Sequence, residues 1–89
     1  MGAFIRRRPS TMTLTLLTGL GLTRRETEVA LWLAQGKTNA EISVILNIGV
    51  RTVDKHLEHI LDKLCVENRT TAAIQIVRAL AAVPTFEKA

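Results

Sequence analysis

The chain predicts an all-α fold, a bundle of four short helices joined by tight turns. Three observations predict it. Thr23 stands three residues before Glu26, and Thr38 three before Glu41. A hydroxyl residue followed at that distance by a glutamate forms the capping box that opens a helix. Gly36 and the Asn47-Ile48-Gly49 run interrupt the chain with residues that tolerate the left-handed backbone of a helix stop. Between these marks the apolar residues recur every three or four positions, the period of an amphipathic helix.

Length and composition set the frame. The 89 residues fit one domain, and 47% apolar residues place it among globular chains. A single cysteine forbids an internal disulfide, and with two histidines it cannot complete a structural zinc site. No metal or cofactor site is expected. Aromatic residues are 3% with no tyrosine, too few for base-stacking platforms on single strands. No apolar run approaches the ~18 residues needed to span a bilayer. Arg6, Arg7 and Arg8 before Met12 to Leu22 loosely mimic a signal peptide, but threonines interrupt the apolar stretch and Arg24 and Arg25 follow at once. Gly2 does not signal a myristoyl anchor, because Arg6 stands where Ser or Thr is required. The expected compartment is a reducing cytoplasm, with no membrane partner.

Residues 1–19 carry three arginines and no acid, and read as a basic linker or N-terminal arm. Within them, residues 10–20 are open between a strand-like alternation and a short helix capped by Ser10. The domain proper is expected over 20–83, followed by a tail over 84–89. Its first helix runs from the Thr23 cap through Val29, Ala30 and Leu33 to Gly36, with Trp32 in the core. The second, capped by Thr38, carries Ile42, Ile45 and Leu46 on one face. The third runs from about Val50 to Leu64. Asn68 caps the fourth, which reaches about Ala82 before Pro84. Two short helices separated by a three- or four-residue turn, the second amphipathic, make a helix-turn-helix.

At ~100° per residue, Val50, Val53, Leu57, Ile60, Leu61 and Leu64 share one arc of the third helix, the expected core face. Arg51, Lys55, His59 and Lys63 form a stripe nearly opposite, and Asp54, Glu58 and Asp62 an acidic stripe beside it. Thr52 and His56 lie on the other flank. Two readings compete here. One is a solvated helix held by Arg51–Asp54 and Lys55–Glu58 pairs, and the other a helix presenting Arg51, Thr52 and Lys55 to a major groove. Composition does not choose: residues 20–65 carry six bases and six acids. His56 and His59 carry no ligand or base signature.

Residues 22–73 resemble the LuxR-type (GerE-like) helix-turn-helix domain. The motifs are L-T-x-R-E from Leu22, G-K-T-N-x-E-I from Gly36, T-V-x-x-H from Thr52, K-L at Lys63-Leu64 and N-R at Asn68-Arg69. The resemblance implies a four-helix DNA-binding domain of a transcriptional regulator, with double-stranded DNA and a second copy of the chain as partners, and an upstream sensor or receiver domain. It implies a third helix in the major groove and a fourth helix that dimerises. It places Lys37, Thr38 and Asn39 on backbone phosphate, where a helix N-terminus suits an anion. Asp54, Lys55 and Glu58 match groove-facing positions, and Glu26 a structural acid that pairs with a basic side chain. The expected DNA-binding set is Lys37, Thr38, Asn39, Arg51, Thr52, Asp54, Lys55, Glu58 and His59. Three departures stand out. Asp54 and Glu58 replace the Lys or Arg of many members, Gly49 replaces a serine cap, and Cys65 replaces the glycine of the third helix's left-handed stop. Cys65 reads as a packing residue.

The fourth helix is apolar nearly all round. Between Ala72 and Val83 only Gln75 and Arg78 are polar. Ala73, Ile74, Val77, Leu80 and Ala81 are expected to cover the core. The surplus face, with Ile76, Ala79 and Val83 and bordered by Leu80, is the expected dimer interface unless residues 10–20 fold over it. No paired carboxylates in a cleft, phosphate-cradling glycine loop or nucleophile with a base argues for an enzyme. The alternative is a protein-interaction module that keeps the shape without reading DNA.

Overall fold

The computed structural model describes residues 19–81. Four helices follow one another: α1 (Arg24–Ala34), α2 (Asn39–Leu46), α3 (Val50–Leu64) and α4 (Arg69–Ala81). Among the described residues there is no strand. Val83, most of the basic arm 1–19, nearly all of the 10–20 segment and the tail 84–89 lie outside the described residues.

Both capping boxes form as the sequence predicts. The Glu26 amide donates to Thr23 Oγ1 at 3.1 Å, and the Thr23 amide to Glu26 Oε1 at 3.0 Å. At α2 the Glu41 amide reaches Thr38 Oγ1 at 3.1 Å and the Thr38 amide Glu41 Oε1 at 2.8 Å. Each box satisfies two amides that the first turn leaves without helical partners. Asn68 opens α4, its Oδ1 accepting from the Thr71 amide at 2.9 Å. Gly49 opens α3 with no side-chain cap.

Three helices end alike, with one left-handed residue and two backbone bonds folding the next amides onto the last turn. Gly36 has φ +86°, and Lys37 donates back to the Trp32 carbonyl at 3.1 Å. Asn47 has φ 57°, with Ile48 bonded to the Ser43 carbonyl at 3.0 Å. Cys65 has φ 58°, with Val66 bonded to the Leu61 carbonyl at 3.0 Å. Its thiol is exposed, so the expectation of a packing residue is wrong. The left-handed cap turns the side chain away from the core that α3 has just left.

The core takes Leu22 from the lead-in turn and Val29, Ala30, Trp32 and Leu33 from α1. Ile42 comes from α2, Val53, Ile60 and Leu64 from α3, and Ala72 and Ile76 from α4. The first helix packs against both α3 and α4, while α2 lies along α3. Val50 departs from expectation at 45% exposure. A helical wheel gives angle but not height, and Val50, the first residue of α3, stays exposed while Val53 three residues on is fully buried.

The larger correction concerns α4. Ile76, expected at a free interface, is fully buried, and Ala79 and Leu80 are half-buried against the core. Ile74 and Val77, expected to cover the core, are 49% and 48% exposed, and Ala81 is exposed beside them. The observed face is rotated by about 100° from the expected one, and Ala73 and Leu80 pack against the core as expected. A helix apolar on every side offers hydropathy no phase to read. The polar residues do carry the phase: Thr70, Thr71 and Arg78 lie within three or four positions of Ile74 and mark the solvent side.

Candidate nucleic-acid interface

The helix-turn-helix puts the N-terminus of α2 beside the first half of α3. Thr38 caps α2, its hydroxyl oxygen accepting from the Glu41 amide. The two elements are joined directly: Asn39 Nδ2 donates to Asp54 Oδ1 at 2.7 Å. Asp54 therefore does not pair with Arg51.

Arg51, Thr52, Asp54, Lys55, Glu58 and His59 are all exposed on α3. Among the described residues neither Arg51 nor Lys55 forms an ion pair; the ion pairs are Arg25–Glu28 and those made by Glu26. The ladder of pairs that would make α3 merely a solvated helix is absent there. Arg51, Thr52, Lys55, His56 and His59 line an open groove with Thr23 and Glu26 of the α1 start.

Glu26 is the acid at the back of that groove, with a side chain only 5% exposed. Lys63 Nζ donates to its Oε1 at 2.7 Å, and His59 Nδ1 lies 3.5 Å from its Oε2. Burial pushes its carboxyl up. The Lys63 and Thr23 hydrogen bonds, with the charges of Lys63 and His59, outweigh that and hold it below the ordinary carboxylate value. The lower end of the basic stripe is thus bound to α1. Lys63 belongs to the fold, His59 borders it, and Arg51 and Lys55 are the cations left facing outward. The expected structural role of Glu26 is met, and its basic partner is Lys63.

Eight of the nine expected site residues fall in two groups, Lys37, Thr38 and Asn39 with Asp54, and Arg51, Thr52, Lys55 and His59 around the groove, while Glu58 is exposed on α3 outside both. Sequence reasoning gave Arg69 no role. From α4, Arg69 Nη1 donates to Asn39 Oδ1 and Nη2 to the Lys37 carbonyl, each at 2.8 Å. One signal was available. A cation in the first turn of a helix opposes the helix dipole, and that cost points to a tertiary partner.

The model of the family described as "Bacterial regulatory proteins, luxR family" matches residues 20–76. The chain belongs to that family. Over 58 residues, this LuxR-family chain is 48% identical to the transcriptional activator protein AnoR of Acinetobacter nosocomialis, covering 65% of this chain and 24% of that protein. Over 53 residues it is 49% identical to the transcriptional regulatory protein LiaR of Bacillus subtilis, covering 60% and 25%. Over 51 residues it is 57% identical to the HTH-type quorum sensing-dependent transcriptional regulator RpaR of Rhodopseudomonas palustris, covering 57% and 21%. The chain spans about a quarter of the length of these relatives. The LuxR family is one of regulators and not of enzymes, and its shared unit is the all-α helix-turn-helix found here. Among the described residues no helix is long and apolar enough to cross a membrane.

Proposed function

We propose that this LuxR-family domain binds double-stranded DNA in a sequence-specific way, as the output part of a cytoplasmic transcriptional regulator that carries a sensor or receiver domain upstream. Helix α3 enters the major groove, with Arg51, Thr52 and Lys55 reaching base edges and Asp54 and Glu58 accepting from cytosine amino groups. Lys37, Thr38 and the N-terminus of α2 hold a backbone phosphate, which fixes the register of α3. His59, beside Glu26, lines the protein's own groove between the start of α1 and α3. The basic arm before residue 20 adds phosphate contacts. The observation that carries the reading is the pair of outward cations Arg51 and Lys55, which form no ion pair among the described residues, next to the capped end of α2.

A second copy docks through α4. The surface for it is Ile74, Val77 and Ala81, and not Ile76. Two copies related by a two-fold axis would read a two-fold-related site.

The test is a titration of labelled duplex DNA at rising salt. Binding that weakens steeply between low and physiological salt supports the reading, because each neutralised phosphate releases counterions. A folded chain that binds no duplex at low salt overturns it in favour of a protein-interaction module.

A further inference from the structure

We propose that Arg69 is a specificity-determining positioning residue: from the start of α4 it orients Asn39, and through Asn39 it fixes the Asp54 carboxylate on the surface of α3. The inference rests on the reading of α3 as a groove-entering helix.

Arg69 is half-buried and its guanidinium makes two bonds, to Asn39 Oδ1 and to the Lys37 carbonyl. A guanidinium has donors and no acceptor, so the oxygen of the Asn39 amide has to face it. The amide nitrogen is thereby turned the other way, and it lies 2.7 Å from Asp54 Oδ1. The reversed amide would set an NH2 against the guanidinium and a carbonyl oxygen against the carboxylate, like against like at both ends. The chain Arg69–Asn39–Asp54 therefore has one direction, and it links α4, α2 and α3.

This relay has two consequences for α3. It holds an exposed carboxylate in one place, with lone pairs remaining for a base amino group. It also keeps that carboxylate from swinging to Arg51, three residues earlier on the same helix and within the reach of an ion pair. A released Asp54 would cancel a cation that the DNA-facing surface needs. Base preference at the position Asp54 reads then depends on Arg69.

The experiment selects bound duplexes from a random pool with the wild-type chain, Asp54→Ala, Arg69→Met and the double variant. Asp54→Ala should flatten the preference at one position of the site by about tenfold, the scale of a good base contact. Arg69→Met should flatten the same position, and the double variant should lose no more there than Asp54→Ala alone. An Arg69→Met profile identical to wild type overturns the inference. So does affinity lowered equally for every sequence, which would make Arg69 a brace only. If Arg69→Met does not fold, Asn39→Ala breaks the relay without touching α4, and a preference kept at that position overturns the inference. Failure of the wild type to enrich any site removes the groove reading and the inference with it. Enrichment by the wild type with an unaltered Arg69→Met profile removes the inference alone.

Discussion

Glu26 shows how one buried side chain joins local and long-range structure. It closes the α1 capping box and receives Lys63 across the bundle. Its carboxyl is held below 4.5, so over the interval below that value the unfolded chain binds more protons than the folded one. Stability therefore rises with pH there and is lost as acid protonates the folded carboxyl. Glu41, closing the α2 box, is lowered by the Thr38 amide and adds to the same trend. Thermal unfolding followed from pH 6 downward should show stability falling below about pH 4.5, and Glu26→Gln should flatten that fall. On the DNA side, Lys37 and Lys55 make different predictions. Lys37→Ala should weaken binding uniformly and lower the salt slope by about 1, whereas Lys55→Ala should cost about 1–3 kcal/mol on the preferred site only. Equilibrium titrations on a preferred and a scrambled duplex separate the two. The caps and the roles of Thr23, Glu26 and Thr38 were legible because their partners sit three residues away. The Lys63 partner and the Arg69 relay were not, since they join residues thirty or more apart that only the packing brings together.

At the level of the helices, the ends were more legible than the faces. Helix stops depend on one residue's backbone freedom, which its identity declares, so Gly36 and Asn47 announced the ends of α1 and α2. Cys65 is the costly case. A side chain at φ 58° strains the backbone where glycine would not, by roughly 1–2 kcal/mol. Cys65→Gly should therefore stabilise the domain by about 1 kcal/mol, which raises the melting temperature by roughly 4–8 °C in a chain of this size. The face of α3 was legible because charges mark its outer side, apart from the exposed first residue, Val50. The face of α4 was misjudged because apolar residues surround it. Ile76 is core, so Ile76→Ala should cost about 2–5 kcal/mol in chemical denaturation, with no need of a second copy to show it.

Among the described residues, large apolar side chains are exposed both on α4, at Ile74 and Val77, and at the α2–α3 corner, at Val44 and Val50. Arg51 and Lys55 face outward from α3, and Arg78 is exposed on α4 beside Ile74 and Val77. Val77→Asp lies on the exposed face, so it should leave the melting temperature nearly unchanged while abolishing cooperative binding to a two-fold-related duplex. Band-shift patterns with one and two half-sites check it, and cooperativity that survives the substitution removes α4 from the interface. The central claim is that α3 reads sequence, and it is tested most directly by selecting bound duplexes from a random double-stranded pool at low salt. The expected result is enrichment of one motif repeated about a two-fold axis. A single enriched half-site would retain the reading helix and remove the dimer. A folded chain that enriches no motif would contradict the claim.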